Sequence, residues 1–322
     1  MKIFKFFILC LILSFFVVAP SFSKVVLISN TNNYIGLSTD TKPTLEESDS
    51  GSSFIESDTG AQYKWSDSSW NAYPNPTSEK NDYFVDISRG VIPGAGTEFK
   101  FGRSVAVTAT ESVIWDNGGN YTFLTAAETM DVISSSTDDD SGGIGARTLL
   151  VSGLDANYDE LSELIVLDGT TTVVTDGEFI RVFRALVITS GTNDPINDAN
   201  KGVITISGTT SSAVQAKIQI NNGQTLMAIY TVPAGHTAYV TGISLSAGQG
   251  KQCLFKAKFR NGPTSGHAFS IKFTMDLYQT FFYGLLKTPL RVPEKTDIVI
   301  TGQTTTGTID ASASFGIILI DD

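Results

Sequence analysis

Residues 252–260 read Gln-Cys-Leu-Phe-Lys-Ala-Lys-Phe-Arg, and residues 268–278 read Ala-Phe-Ser-Ile-Lys-Phe-Thr-Met-Asp-Leu-Tyr. In the first, Cys253, Phe255, Ala257 and Phe259 alternate with Lys256, Lys258 and Arg260. In the second, Phe269, Ile271, Phe273, Met275 and Leu277 alternate with Ser270, Lys272, Thr274 and Asp276. A period of two puts the apolar side chains on one face of a strand and the charged ones on the other, so each stretch predicts a half-buried β-strand. A Gly- and Pro-containing turn at 261–266 joins them.

Working outward, similar short runs separated by Gly-, Asn- or Pro-containing turns predict strands at 148–151, 163–167, 171–175, 179–189, 202–207, 214–220, 225–232, 237–245, 297–301 and 314–320. No amphipathic helices intervene, which argues against parallel βαβ units. The expected fold is all-β: an antiparallel β-sandwich, jelly-roll-like, running from 145 to 322, with a small N-terminal β-hairpin module. The module covers 24–80. Its two runs, 54–56 and 61–65, flank the turn Asp58-Thr59-Gly60, and Phe54, Tyr63, Trp65 and Trp70 are placed to cluster across it. A middle β segment covers 81–144. There Val105 and Val107 are expected on one face, Asp116 to Asn120 reads as a hairpin turn, and residues 126–133 read as a helical turn or two.

Residues 1–23 stand apart. Lys2 and Lys5 precede an apolar run at 6–19, and Ser21 and Ser23 lie where a signal peptidase reads. The expectation is a signal peptide cleaved before Lys24, or an uncleaved anchor. Once Cys10 is removed with it, Cys253 is the remaining cysteine, expected as a buried small hydrophobe.

Charged residues make up 17% of the chain, below the roughly 25% of soluble domains. The net charge is −11, unevenly spread. Residues 24–200 hold 27 acidic against 10 basic side chains, and residues 201–322 hold 6 against 10. An acidic chain lacks the basic surface that phosphate backbones require, so no nucleic-acid partner is expected. The asymmetry suits contact between copies.

The residues supply no assembled catalytic apparatus. The chain has two histidines, His236 and His267, each after a tight turn and both at one expected end of the sandwich. It lacks a Gly-x-Ser-x-Gly elbow, a His-Glu-x-x-His motif and a phosphate-binding glycine loop. Asp155, Asp159, Glu160 and Glu163 cluster, as do Asp138, Asp139 and Asp140, but neither group has a metal-loop spacing. They are expected as surface acids. No catalytic, cofactor-binding or metal-binding residue is therefore assigned. The candidate functional surface is the aromatic patch Tyr278, Phe281, Phe282 and Tyr283, read as a core or subunit interface and alternatively as a glycan-stacking surface.

Three pieces of the chain resemble structural proteins of tailed-bacteriophage particles, marine ones in particular. The first is 34–44 with the 54–65 hairpin and Trp70. The second is Ile-Trp-Asp-Asn-Gly-Gly-Asn-Tyr-Thr-Phe-Leu-Thr-Ala-Ala-Glu at 114–128, running into the block at 142–187. The third is 224–239 with Arg-Val-Pro-Glu-Lys-Thr-Asp-Ile at 291–298. The resemblance implies a non-enzymatic virion component of head-fibre, decoration or tail-associated type, located in the particle and associating with itself or with other particle proteins. The alternative from the residues is an exported cell-surface protein that binds a surface glycan or another surface.

Overall fold

The computed structural model describes residues 26–27, 33–66, 68–73, 82–191, 199–248, 251–262, 267–278, 280–305 and 307–322. The leader or anchor expected at 1–23 lies outside the described residues, as does most of the Pro-containing linker at 73–77. The chain divides into two units, Met1–Val85 and Asp86–Asp322.

In the first unit β1 (Val26–Leu27), β2 (Asn33–Gly36), β3 (Ser53–Glu56), β4 (Gln62–Ser66) and β5 (Ser69–Tyr73) form one sheet in that order. The β3–β4 hairpin turns through Gly60, whose φ of 73° suits a residue without a Cβ. Trp70 is the hub of a small aromatic core, with ring centroids 5.4 Å from Trp65, 5.9 Å from Phe54 and 6.1 Å from Tyr34. Both indoles satisfy their N–H groups on backbone: Trp70 donates to Pro43 at 2.7 Å and Trp65 to Glu46 at 3.0 Å. Lys42 lies 4.1 Å from the Tyr63 ring centroid and donates to Glu56 at 2.8 Å.

The second unit carries β6 (Ala95–Val107), β7 (Ser112–Val113), β8 (Met130–Ser134), β9 (Ala146–Leu154), β10 (Glu160–Val166), β11 (Val173–Val174), β12 (Arg181–Ser190), β13 (Ile204–Gly208), β14 (Val214–Ile218), β15 (Ile229–Thr231), β16 (His236–Ala247), β17 (Gln252–Arg260), β18 (Ser270–Tyr278), β19 (Phe281–Val292), β20 (Asp297–Thr304) and β21 (Ile309–Asp321). One sheet runs β19-β16-β21-β6 and a second runs β15-β20-β17-β18, all antiparallel. β7 pairs with the same edge of β20 as β15, because β17 fills the other edge along the whole strand. The chain passes from β16 in the first sheet to β17 and β18 in the second, then alternates through β19, β20 and β21. That alternation is the connectivity of a double-sheet jelly roll. The fold class is thus the expected antiparallel β-sandwich, with β6 and β7 of the expected middle segment among its strands.

Between β7 and β15 the chain builds two further sheets, β10-β9-β12 and β11-β8-β13-β14. Their buried residues, including Met130, Leu149, Val182 and Ile206, belong to the same contiguous core as Phe255, Phe259, Ile300 and Phe315 of the jelly roll. β17 shows why these residues make strands. Cys253, Phe255, Ala257 and Phe259 are buried while the basic residues between them stay partly exposed. Each buried Phe contributes about 1.5–3 kcal/mol.

Several local expectations are corrected. Residues 126–133 make no helical turn: Met130, Val132 and Ser134 alternate inward in β8, a period of two. The residues flanking Asp116 to Asn120 do not pair with each other. β7 joins β20, and Trp115 bridges Met227 instead. Residues 281–292, not expected as a strand, form β19. On β6, Val105 is 61% exposed and Val107 is fully buried, so they do not share a face.

Between Phe99 and Val105 the inward positions of β6 are Lys100, Gly102 and Ser104. Lys100 is 2% exposed, donates its ammonium to the Phe183 carbonyl and lies 5.2 Å from that ring's centroid. Burial, then the Arg184 charge, lowers its pKa from 10.5 to about 7, and Glu98 opposes them. Between those values the unfolded chain binds a proton that the folded chain has released, so stability rises with pH. The slope approaches at most about 1.4 kcal/mol per pH unit. Urea denaturation at pH 7, 8 and 9 is expected to show this rise in the native chain and a flat profile in Lys100→Met. Equal slopes in both proteins would exclude Lys100 as the source.

Candidate functional site: an aromatic-walled trough

The β19-β16-β21-β6 sheet has an outer face organised in rows. Leu285 pairs with Gly242, Gly242 with Gly316, and Gly316 with Phe99. The next row is Tyr283, Ser244, Ser314 and Phe101, and the next is Phe281, Ser246, Ser312 and Arg103. Paired residues point to one side of a sheet. In each row, then, two small residues on the central strands lie between large ones on the edge strands. The result is a trough with a Gly/Ser floor and walls three strand spacings apart, roughly 14 Å. Along the second and third rows, with Leu226 also in its lining, it holds a volume of about 580 Å³. The walls are open to solvent: Phe281 is 75% exposed, Leu285 69%, Tyr283 63% and Phe99 57%. Phe99 and Phe101 lean together at 5.9 Å, and the Arg103–Asp310 ion pair at 2.8 Å stands beside the third row.

The four patch residues of the sequence divide. Phe281 and Tyr283 form one wall. Phe282, between them on the strand, turns to the other face and stacks on Phe273 at 5.7 Å, against the core. Tyr278 ends β18 in the other sheet and is exposed there. The opposite wall, Phe99 and Phe101, and the floor escaped the sequence reading. Their signal was present as small residues at every second position, Gly242-x-Ser244-x-Ser246 and Ser312-x-Ser314-x-Gly316.

The candidate acids hold turns. Asp139 is fully buried, and its carboxylate accepts from the Ala146, Lys201 and Gly202 amides at 2.7–2.8 Å and from the Ser134 hydroxyl at 2.6 Å. Asp140 accepts from the Gly142 amide at 2.6 Å. Asp155 accepts from the amides of Asn157 and Asp159 at 2.7 and 3.0 Å. Glu163 accepts from those of Asp176 and Gly177, both at 2.9 Å. Among the described residues, no three His, Cys, Asp or Glu side chains converge as metal ligands. His236 and His267 line separate pockets. His236 stands 3.2 Å from Asp321, and His267 lies against the Asn261 carbonyl. Cys253 is buried, and its thiol is pushed up to about 11 by that burial.

Fold and trough together define an all-β jelly-roll protein with an open apolar groove on one sheet. No protein-family model matches the chain, and no curated protein matches it. Among solved structures it is similar to that of the infectious bursal disease virus Gt strain, at 10% identity over 74% of this chain and 78% of that one, with a TM-score of 0.22. A second is the crystal structure of the infectious bursal disease virus VP2 subviral particle, at 11% identity over 74% and 78%, with a TM-score of 0.18.

Proposed function

We propose that this chain is a non-enzymatic structural protein of a tailed-bacteriophage particle or particle appendage, and that its copies associate through the trough. The observation that carries this reading is the wall of Phe99, Phe281, Tyr283 and Leu285, large apolar side chains left in water around a floor with no bulk of its own. A contiguous apolar patch of this kind marks an interaction surface. Covering each Phe or Leu contributes about 1.5–3 kcal/mol before the cost of association is subtracted. The resemblance of 34–44, 114–128, 142–187 and 224–239 to phage particle proteins supports the particle as the setting.

Two measurements test it. In sedimentation velocity the purified chain is expected as a multimer. The double substitution Phe281→Glu with Tyr283→Glu is expected to weaken self-association by roughly a hundredfold or more, with its thermal melt unchanged. Mass spectrometry of purified particles is expected to find the chain. A monomeric native protein, or its presence in the medium or cell envelope and absence from particles, overturns the reading and favours an exported surface protein.

A further inference from the structure

The other sheet carries a second, chemically different pocket. It has a volume of about 480 Å³ and is lined by Asn120, Phe123, Lys258, Arg260, Phe269 and Thr301 among others, with Glu111 as the acid in its lining. Its floor is the outward face of β17, where Lys256, Lys258 and Arg260 alternate. Glu111 receives Lys256 at 2.8 Å, Thr301 at 2.5 Å and Lys258. Behind it, Asp297 receives Arg181 at 2.9 Å and Arg260. Two carboxylates thus face four cations, a local excess of two positive charges in a chain whose net charge is −11. The Arg260 guanidinium lies against a pair of packed rings, 4.5 Å from the Phe123 centroid and 4.7 Å from that of Phe269, which are 5.5 Å from each other. Lys258 and Arg260 each keep 22% of their side-chain surface exposed.

From this arrangement we infer a binding site for a carboxylated sugar, an acidic pyranose of the uronic or sialic type. The sugar's carboxylate takes up the excess charge of this cluster where Lys258 and Arg260 line the pocket. A charge-assisted hydrogen bond is about twice as strong as a neutral one. Phe269, partly exposed in the pocket lining, offers apolar surface to a ring face, and Asn120 offers its amide to the ring's hydroxyls. The volume lies within the range of small-ligand sites. A bare inorganic anion would use the charge and leave Phe269 and the Asn120 amide idle. The lining therefore favours a ligand that carries both an anion and a ring.

The test uses the whole chain and isothermal titration with glucuronate, glucose and inorganic phosphate. Glucuronate is expected to bind, with glucose and phosphate each at least about tenfold weaker and all binding falling with added salt. Lys258→Gln and Phe269→Ala are each expected to weaken glucuronate by about tenfold. Their melts report folding, and Asn120→Ala on the pocket rim serves as a further variant that leaves the ion pairs intact. Equal binding of glucose and glucuronate overturns the proposal. So does phosphate binding as tightly as glucuronate with Phe269→Ala indifferent, which leaves a simple anion site. Salt-sensitive capture of a second copy with no response to any sugar also overturns it.

Discussion

Asp297→Ala is expected to destabilise the second unit by about 3–5 kcal/mol, the cost of leaving a buried charge without its partner. Asp297 is fully buried on β20 and accepts from five side-chain donor groups, Arg260 Nη2 among them. Thr231 reaches one carboxylate oxygen at 2.6 Å and Arg181 Nε the same oxygen at 2.9 Å. Arg260 Nε reaches the other at 3.0 Å, and Arg181 Nη2 reaches it at 3.3 Å. Arg181 is itself buried on β12. Its remaining N–H groups donate to the carbonyls of Leu124 and Ile180 at 2.8 and 2.7 Å, and its guanidinium lies 5.0 Å from the Phe123 centroid. The pair therefore ties the sheets built between β7 and β15 to the jelly roll. Removing the carboxylate leaves the Arg181 charge without its partner at a position only 3% exposed. Urea denaturation should show a lower midpoint, and Asp297→Asn should fall between the native chain and the alanine variant. The double change Asp297→Leu with Arg181→Met should recover much of the loss, since replacing both partners leaves no orphan charge. A loss below about 1 kcal/mol in the alanine variant would falsify the account, because that is the worth of an exposed pair.

Gly102→Ala is expected to cost about 3 kcal/mol, at the upper end of what overpacking a core commonly does. A Cβ at Gly102 would stand 2.3 Å from the Ile114 carbonyl oxygen and 2.4 Å from the Ala228 amide nitrogen. Both are backbone atoms, and they are bonded to each other, Ala228 donating to Ile114 at 3.0 Å. Ile114 also donates to Ile300 at 2.9 Å, so neither strand has room to retreat without loosening its hold on β20. Gly102 is where β6 of one sheet crosses close to the chain on the edge of the other. Gly96 on the same strand is the control: a Cβ there meets nothing within 4 Å, and Gly96→Ala should change stability by less than about 0.5 kcal/mol. Thermal melts of the two variants separate crowding at this crossing from a general effect of glycine replacement on β6. Equal melts would remove the crossing as the cause.

The strands that could be read from the chain are those whose two faces meet different surroundings. β17 buries Cys253, Phe255, Ala257 and Phe259 and wets three cations, so its composition carries its own orientation. β18 keeps the same phase from Phe273 to Leu277, and a bulge opposite Ala257 and Lys258 leaves Ile271 exposed at its start. β6 could not be read in this way. It turns Phe99, Phe101 and Val105 outward and Lys100 and Gly102 inward, the reverse of what hydrophobicity predicts. The reason is long-range. Lys100 caps the Phe183 carbonyl from a strand 83 residues away, and Gly102 yields to the backbone at Ile114 and Ala228. Neither neighbour is visible in the residues around β6. The patch at Phe281 to Tyr283 was legible as aromatic, but its division into one wall of a trough and one core residue needed the pleat of β19.

The residues alone thus determined the class of the fold, because a period of two with no intervening helical pattern leaves antiparallel sheets as the way to bury one face of each strand. They also determined that Cys253, Phe255, Ala257 and Phe259 face inward. Tertiary structure decided which strands became neighbours, and with that where the trough and the charged pocket form. Two ladders of small residues, Gly242 to Ser246 and Ser312 to Gly316, make a floor only because β16 and β21 lie side by side between two edge strands with bulky outward residues. Lys258, Arg260 and Phe269 meet Asn120 and Phe123 only because β7 and β15 both close onto β20. Periodicity is a local property of the chain, whereas a trough or a pocket is set by the pairing of segments far apart in sequence.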